Sequence, residues 1–326
     1  MAVQFTNSMI TGTGSYLPEQ VLTNDDIAQR VETDDEWIRS RTGISSRHLA
    51  GDHESNVYMS TQAAQRALDA AGISPEEIDL ILVATVSPTY TFPATACFIQ
   101  SALGVPAGAA AMDLQGACSG FIYGLQMADA QIKTGHCKKA LVLGAEKFSA
   151  YIDWTDRSTC VLFGDGAGAV VLEAREGDAR EGLLASSIHA DGNNSDLLIG
   201  TGGLSSTGTI GHVNMKGREV YRHAVRRMVE AVGPLLEQEK ISTDQVDWLI
   251  PHQANLRIIE AAAAQLDFPL EKVIQTVAHH ANTSAASIPL ALDDANKRGL
   301  FKPGQTIVLT AFGAGFTWGG AVLRWC

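Results

Sequence analysis

Apolar positions follow two patterns along this chain. Mostly apolar runs at residues 81–86, 140–146 and 306–312 predict strands that are buried within sheets. Residues 60–71 and 98–103 lie between such runs and predict helices. Buried strands separated by helices are typical of an α/β protein in which helices cover both faces of the sheets.

The two halves of the chain repeat one order of elements. Residues 73–82 and 241–250 share a pattern of helix, turn and buried strand, and a glycine-rich turn before a strand occurs at 163–172 and 312–323. Solenoid repeats span about 20–50 residues, so this longer repeat indicates duplication of a whole α/β unit. The predicted halves are residues 1–175 and 176–326. The charged segment at residues 173–181 is predicted to connect them.

Length and composition limit the class of protein. A chain of 326 residues with 45% hydrophobic content can bury one large core or two ordinary ones. Its five cysteines are scattered without a C-x-x-C pair, which argues against a disulfide framework or a zinc site and favours a reducing cytoplasm. The N-terminal residues lack a basic segment, and no stretch approaches the roughly 18 apolar residues of a membrane span, so we expect a soluble chain without a leader. A formal net charge of −12 disfavours nucleic-acid and anionic-membrane partners.

Two glycine-rich segments do not fit nucleotide-binding motifs. Residues 163–168 read Phe-Gly-Asp-Gly-Ala-Gly, lack the Gly-Lys-Ser/Thr end of a phosphate-binding loop and lead into a strand. Residues 11–16 do not form a G-x-G-x-x-G that opens a helix. We therefore expect no nicotinamide cofactor. Residues 200–217 are rich in Gly, Ser and Thr and predict a surface loop that borders a ligand entrance.

Cys118 is the candidate nucleophile. It lies in Gln-Gly-Ala-Cys-Ser-Gly, where small residues let the backbone approach closely, and residues 121–130 predict a helix. The free N–H groups and dipole of a helix N-terminus lower the pKa of a thiol and can hydrogen-bond an oxyanion. The alternative is a small core residue, because free cysteine is among the most buried residue types.

Polar clusters far downstream provide partners for a thiol. Residues 251–255 read Pro-His-Gln-Ala-Asn, and residues 282–287 read Asn-Thr-Ser-Ala-Ala-Ser, each within otherwise apolar sequence. Cysteine, histidine and asparagine together suggest thioester chemistry.

One predicted helix concentrates positive charge. Arg218, Arg222 and Arg226 recur every four residues after Met215, while Val220 and Ala224 belong to the face that would contact the core. The arginines form a local patch for a polyanionic ligand, or they merely solvate a helix face.

Motifs along nearly the whole chain resemble those of β-ketoacyl-acyl-carrier-protein synthase III, the initiating condensing enzyme of bacterial fatty-acid synthesis. They occur in the family's order at residues 35–44, 113–124, 155–157, 163–169, 246–257, 282–289 and 312–318. The resemblance implies the thiolase fold, an α/β fold of five layers (αβαβα) made from two similar halves, and a homodimer. Two similar halves agree with the internal repeat.

The resemblance implies a decarboxylative Claisen condensation. Cys118 would attack acetyl-CoA, release CoA and hold the acetyl group. His252 and Asn282 would hydrogen-bond the thioester carbonyl of malonyl-acyl carrier protein while CO2 leaves, and the carbanion would give acetoacetyl-acyl carrier protein. The backbone N–H groups of Cys118 and Ala314 would bind the second oxyanion. No cofactor is implied, since acetyl-CoA is a substrate.

The chain departs from the family pattern at two turns. Ala314 stands in Phe-Gly-Ala-Gly-Phe where the family usually has Phe-Gly-Gly-Gly-Phe, and alanine keeps the N–H group if its dihedral angles allow a Cβ. Ala281 stands in His-His-Ala-Asn where many relatives have Arg-His-Gly-Asn. We expect no catalytic or metal-binding role for His279 and His280, because adjacent side chains point in different directions and no partner cluster matches them.

The resemblance also implies a binding site for CoA. Trp37, Arg41 and Arg157 would surround its adenine and phosphates, because an aromatic face and guanidinium planes can sandwich a base. Further substrate contacts are implied for Gly217, Asn255 and Phe312. Asn255 could also be the N-cap of a helix over residues 256–264.

Surface contacts are implied at three more positions. Arg222 and Arg257 align with positions that dock the acidic carrier protein. Phe92 matches a residue that closes the acyl pocket across the dimer, with simple interface packing as the alternative.

Three other classes of protein could contain a similar set of residues. A biosynthetic thiolase needs a second cysteine in the last glycine-rich turn, and 313–315 has none. A specialised condensing or acyl-transfer enzyme of secondary metabolism keeps Cys, His and Asn and uses other starter units, so it stays open. A non-catalytic carrier-binding relative would lack one of the three residues, and all are present.

Overall fold

The computed structural model describes residues 5–177 and 180–326. The strands are β1 (Phe5–Tyr16), β2 (Gln20–Thr23), β3 (Ser46–Leu49), β4 (Leu80–Ala84), β5 (Ala110–Leu114), β6 (Lys139–Glu146), β7 (Gly166–Gly177), β8 (Gly182–Ala190), β9 (Leu198–Gly200), β10 (Val213–Met215), β11 (Trp248–Pro251), β12 (Thr306–Gly313) and β13 (Thr317–Arg324). The α-helices are α1 (Asn24–Ala28), α2 (Asp35–Thr42), α3 (Asn56–Ala71), α4 (Thr95–Leu103), α5 (Gly120–Lys133), α6 (Gly217–Glu239), α7 (Leu256–Gln265), α8 (Val277–His280) and α9 (Ser287–Lys297).

Two mixed sheets share one strand order. In the first sheet the order is β1-β7-β6-β4-β5, antiparallel from β1 to β6 and parallel from β6 to β5. In the second sheet the order is β8-β13-β12-β11, antiparallel from β8 to β12 and parallel between β12 and β11. A parallel bridge between Leu249 and Val273 occurs where the second sheet would have a counterpart of β5. The repeat in the sequence is therefore a repeat of sheet topology.

The same short turn introduces β4 and β11. Pro75–Glu77 and Thr243–Gln245 are 3-10 turns that follow Ser74 and Ser242. The Glu77 side chain accepts from Ser74 N at 3.1 Å, and the Gln245 side chain accepts from Ser242 N at 2.9 Å. These reciprocal caps explain why this stretch of sequence is repeated.

The sheets and helices form five layers. Helix α3 covers the outer face of the first sheet, where Ala67 and Ile81 belong to one buried apolar cluster. Helices α5 and α9 lie between the sheets, and their side chains join one core with both sheets. Helices α6 and α7 cover the outer face of the second sheet, with Leu235 near Val308. The predicted αβαβα architecture is confirmed.

Glycines in β1 allow close packing of a helix against the strand. A Cβ on Gly14 would lie 2.3 Å from the carbonyl oxygen of Ala63 in α3, and one on Gly12 would lie 2.2 Å from that of Ala67. The backbones of β1 and α3 therefore meet directly.

The predicted connection between the halves was placed too early. Strand β7 continues to Gly177, and Glu173 pairs with Met9 of β1 and lies 3.7 Å from the Lys139 ammonium group. Pairing with β1 satisfies the backbone of this charged stretch, which extends the strand past the predicted boundary. Residues 178 and 179 of the predicted connection lie outside the described residues. The division into halves at 175 and 176 stays a prediction.

Within residues 5–177 and 180–326, no helix combines the length and the apolar character needed to cross a membrane.

Candidate active site

One cavity of about 640 Å³ contains most of the predicted site residues. Its lining runs from Gly200 and Gly217, the two ends of the predicted entrance loop, to Cys118, His252 and Asn282. Asn255, Phe312 and Ala314 also line it. A volume in the range of about 300–1,000 Å³ is typical of small-molecule sites. The three candidate catalytic residues are nearly buried, with exposed fractions of 8%, 2% and 7%.

Cys118 lies in a 3-10 turn, Ala117–Ser119, that leads into α5. Its Sγ lies 3.5 Å from Ser284 Oγ. Burial raises the pKa of the thiol to about 12, and the nearby charge of Glu146 contributes to the increase. The predicted lowering of this pKa is therefore wrong for the free site, because desolvation of a thiolate outweighs the favourable turn and hydrogen bonds.

The end of β12 lies against the nucleophile's amide group. A Cβ on Gly313 would lie 2.7 Å from Cys118 N, so only glycine fits there. The next residue, Ala314, has no positive φ, in contrast to Gly315 at 134°. Alanine is therefore compatible with the backbone at the position where the family usually has glycine.

His252 follows β11 and is held by main-chain and side-chain bonds. Its N–H donates to Thr310 O at 2.8 Å, and its Nδ1 lies 2.6 Å from Ser287 Oγ. Ser287 Oγ already accepts from Gln253 N at 3.4 Å. A hydroxyl group that accepts from Gln253 N can still donate its own proton to Nδ1, and in that tautomer Nε2 is an N–H donor. Burial lowers the pKa of His252 to about 3, so the ring is neutral.

Asn282 is fixed by both its backbone and its side chain. Its N–H donates to Leu162 O at 2.9 Å, and its carbonyl accepts from Gly164 N at 3.0 Å. The side-chain Oδ1 accepts from Ser284 N at 2.9 Å. Among the described residues nothing accepts from Nδ2, so this amide group is a free donor at the cavity. With the Nε2–H tautomer of His252, the two residues offer two N–H donors to one site.

Non-glycine residues with positive φ cluster around the candidate residues. Ala117, which precedes Cys118, has φ 45°, and Ser284 has φ 50°. Ala281, which precedes Asn282, has φ 56° and ψ −159°. Such conformations cost about 1–3 kcal/mol each and are typical of functional sites. The departure from the family's glycine at 281 therefore introduces strain.

Trp37, Arg41 and Arg157 form a separate cluster beside the cavity. The guanidinium carbons of Arg41 and Arg157 lie 4.5 and 4.8 Å from the Trp37 ring centroid. Asn255 connects the cluster to the cavity, since its Nδ2 donates to Arg41 O at 3.1 Å. The Oδ1 of the same residue accepts from Arg257 N at 2.9 Å and caps α7, as predicted.

Other predicted residues lie outside the cavity. Arg222 on α6 and Arg257 on α7 are exposed, and these two helices pack together. Neither arginine forms an ion pair within residues 5–177 and 180–326. Phe92 is 82% exposed.

The adjacent histidines do not contribute to the cavity lining. His280 ends α8, is half-buried, and has its ring centroid 6.4 Å from that of His48. Burial lowers its pKa to about 4. In the part of the chain that the structure describes, no group of three His, Cys, Asp or Glu side chains has the arrangement of a metal site.

Three polar residues of the site carried no predicted role. Ser284 and Ser287 belong to the cluster at 282–287, whose serines interrupt an apolar stretch, so their presence was a usable signal. Glu146 ends the buried strand β6, where a carboxylate is unusual.

Comparisons with known proteins agree with this geometry. Family models described as 3-oxoacyl-[acyl-carrier-protein (ACP)] synthase III and its C-terminal region match residues 112–192 and 236–325. The β-ketoacyl-[acyl-carrier-protein] synthase III of Erythrobacter litoralis is 53% identical over 97% of this chain and 98% of the relative, and that of Paramagnetospirillum magneticum is 54% identical over the same shares. The crystal structure of the synthase III of Aquifex aeolicus has a TM-score of 0.93 and 49% identity, covering 98% of this chain and 100% of that one. This chain therefore belongs to the β-ketoacyl-[acyl-carrier-protein] synthase III family of thiolase-fold acyltransferases, which condense acetyl-CoA with malonyl-acyl carrier protein to initiate fatty-acid synthesis.

Proposed function

We propose that Cys118 carries the acetyl group in this condensation and that His252 and Asn282 activate the second substrate. The observation that supports this division is that one thiol, one neutral imidazole and one free amide donor share a single cavity. In the first half-reaction, the sulfur attacks the acetyl carbon and CoA leaves. The N–H groups of Cys118 and Ala314 bind the oxyanion that forms during this attack.

The second half-reaction needs donors where an enolate oxygen develops. When malonyl-acyl carrier protein loses CO2, the electron pair of the broken bond moves into an enolate whose oxygen accepts from His252 Nε2 and Asn282 Nδ2. A pKa of about 3 keeps His252 neutral, so it donates a hydrogen bond without first binding a proton. The enolate carbon then attacks the acetyl group on Cys118 and gives acetoacetyl-acyl carrier protein. These steps need no resident metal or cofactor.

The CoA nucleotide is proposed to bind at the Trp37 cluster. Two guanidinium groups at an aromatic ring provide positive charge for phosphates and flat surfaces for adenine. Gly217, Asn255 and Phe312 would then contact the arm that reaches Cys118, since all three line the cavity.

The carrier protein is proposed to dock on α6 and α7 through Arg222 and Arg257. Both arginines are exposed and lack an ion-pair partner among the described residues, so their charge is available to an acidic protein. Arg222→Glu and Arg257→Glu should raise KM for malonyl-acyl carrier protein at least about tenfold and leave acetylation by acetyl-CoA unchanged. Arg226→Glu is the matched control, because Arg226 on the same helix is already bonded to Glu230 at 2.6 Å.

We further propose a homodimer in the cytoplasm. Strand β5 is an edge strand with exposed apolar residues such as Met112, and Phe92 is mostly exposed, so both would gain from an interface. All five cysteines are free thiols, which fits a reducing compartment. Equilibrium sedimentation of the protein and of Phe92→Ser tests the dimer.

Intact-protein mass with peptide mapping tests the acyl-enzyme directly. Acetyl-CoA should add one acetyl group to Cys118, Cys118→Ser should stay unmodified, and Asn282→Ala should be acetylated but fail to condense. Asn282→Ala that cannot be acetylated would contradict the division of roles. Refusal of acetyl-CoA with acceptance of a longer or branched acyl-CoA would favour a specialised condensing enzyme.

A further inference from the structure

A buried carboxylate lies two hydrogen bonds from the nucleophile. The Cys118 thiol contacts Ser284 Oγ at 3.5 Å, and the Ser284 hydroxyl donates to Glu146 Oε1 at 3.2 Å. Ser284 and Glu146 are 1% and 0% exposed. The three groups therefore form a chain in which each donor points to the next acceptor, away from solvent.

Among the described residues, only neutral donors bind Glu146. Its oxygens accept from Val86 N at 3.2 Å and Thr85 Oγ1 at 3.3 Å, and also from Ser87 Oγ. Within the described residues no Lys, Arg or His forms an ion pair with this carboxylate, and the ammonium group of adjacent Lys147 donates to a main-chain oxygen instead. Burial raises the pKa of Glu146 to about 7, so it can gain and lose a proton near neutral pH.

Cys118 and Tyr151 are titratable groups near this carboxylate. Burial raises the pKa of both, and the negative charge of Glu146 adds to the increase; the Tyr151 hydroxyl donates to Val86 O at 2.8 Å. Two negative charges on Glu146 and Cys118 would destabilise each other, so loss of the thiol proton is easier when Glu146 accepts it.

His252 is poorly placed to accept that proton. Its Nδ1 is occupied by Ser287 at 2.6 Å, and burial lowers its pKa to about 3. Within residues 5–177 and 180–326 no hydrogen bond joins it to Cys118.

We propose that Glu146 is the proton reservoir of Cys118 and is reached through the hydroxyl group of Ser284. This inference rests on the proposed function. During acylation the thiol proton passes to Ser284 Oγ while the proton of Ser284 passes to Glu146. The sulfur forms its bond to the acetyl carbon, the bond between that carbon and CoA breaks, and the CoA thiolate takes a proton from water.

The stored proton returns in the second half-reaction. When the enolate carbon attacks the acetyl group, the acyl–sulfur bond of Cys118 breaks and its electron pair stays on sulfur. This thiolate recovers a proton from Ser284, which is reprotonated by Glu146. The cycle consumes the single proton that water gave to CoA, and the decarboxylation itself supplies the electron pair for carbon–carbon bond formation.

Single-turnover acetylation of Cys118 across about pH 5.5 to 9, in H2O and D2O, tests the reservoir. The parent rate should rise through about pH 7 with a solvent isotope effect. Glu146→Gln and Ser284→Ala should both lose this rise and the isotope effect, and react at least about 100-fold more slowly at neutral pH. Both should recover only well above pH 9, where hydroxide removes the thiol proton directly, because the pKa of Cys118 is about 12.

Ser87→Ala is the matched control. It removes a donor from Glu146 Oε2, away from the Ser284 bond, and should keep the rise in rate but move it to higher pH. A Glu146→Gln variant with the parent's pH profile would overturn the proposal, as would an unaffected Ser284→Ala. If Glu146→Gln does not fold, Ser284→Ala decides by the same readout.

Alkylation by iodoacetamide separates this test from the proposed function. The rate of Cys118 alkylation in the parent should rise through about pH 7, although no acetyl group is transferred. Glu146→Gln and Ser284→Ala should both lose this rise. A parent protein that refuses acetyl-CoA but shows this alkylation profile would contradict the proposed substrate and support the reservoir. A flat alkylation profile in the parent would contradict the reservoir.

Discussion

Replacing Ser287 with alanine should separate the two half-reactions. The variant loses the 2.6 Å bond to Nδ1 of His252, whose side chain is 2% exposed. An unpaired buried polar atom costs about 1–3 kcal/mol, which corresponds to about 5- to 150-fold in rate if the loss falls on the enolate. If Ser287 donates to Nδ1, the ring would also lose the bond that favours its Nε2–H tautomer. Condensation should therefore slow by this factor, while acetylation of Cys118 should change less than about twofold.

Rapid-quench measurements on the acetylated enzyme give the condensation rate, and intact mass gives the acetylation rate. Ser284→Ala is the internal comparison, because it removes a hydroxyl group three residues away and should slow acetylation. Equal slowing of both half-reactions in Ser287→Ala, or no slowing of condensation, would refute the assignment of Ser287 to His252.

Ala281→Gly should be about 2 kcal/mol less destabilising than Ala291→Gly. Both methyl groups are fully buried, but only Ala281 has a positive φ, of 56°, so glycine relieves backbone strain there. Urea unfolding measures this difference, and equal losses would contradict the strain. Gly144→Ala should destabilise the protein by about 3 kcal/mol or more, because the new Cβ would lie 2.1 Å from Ala285 O, whereas Gly233→Ala in open space should not. Thermal unfolding compares these two variants. The pKa of Glu146 is about 7 in the folded protein, against an ordinary value of 4.5. The folded state therefore binds this proton more tightly, which stabilises the protein below about pH 4.5, and this stabilisation is lost as pH rises through 7. Between about pH 4.5 and 7, the unfolding free energy of Glu146→Gln should therefore rise by about 3 kcal/mol relative to that of the parent. A difference in unfolding free energy by urea that does not change with pH would contradict the raised pKa.

Much of the fold was readable from the sequence because local patterns and packing agree. The apolar runs at 81–86, 140–146 and 306–312 became β4, β6 and β12, all central in their sheets. The helix with recurring arginines became α6, with its apolar positions in a buried cluster. Periodicity is informative here because each element is buried along whole faces.

The arrangement of the site was less readable. Glycine-rich turns and polar clusters located Cys118, His252 and Asn282, and all three line one cavity. The direction of the thiol's pKa shift depends on burial and on Glu146. Glu146 is hydrogen-bonded to Ser284, which is 138 residues away in the sequence. No local pattern contains such a pair. The strain at 281 likewise depends on backbone angles that the motif alone does not give.

The distance in sequence between Cys118 and Ser284 has a consequence for synthesis of the protein. The two residues are 166 positions apart. Because ribosomes add about 5–20 residues per second, the nucleophile is made about 8 to 33 seconds before its neighbour. During this interval the thiol lacks the cover that raises its pKa, and an exposed thiol is open to oxidation. Burial by the late segment therefore protects the newly made enzyme as well as completing it.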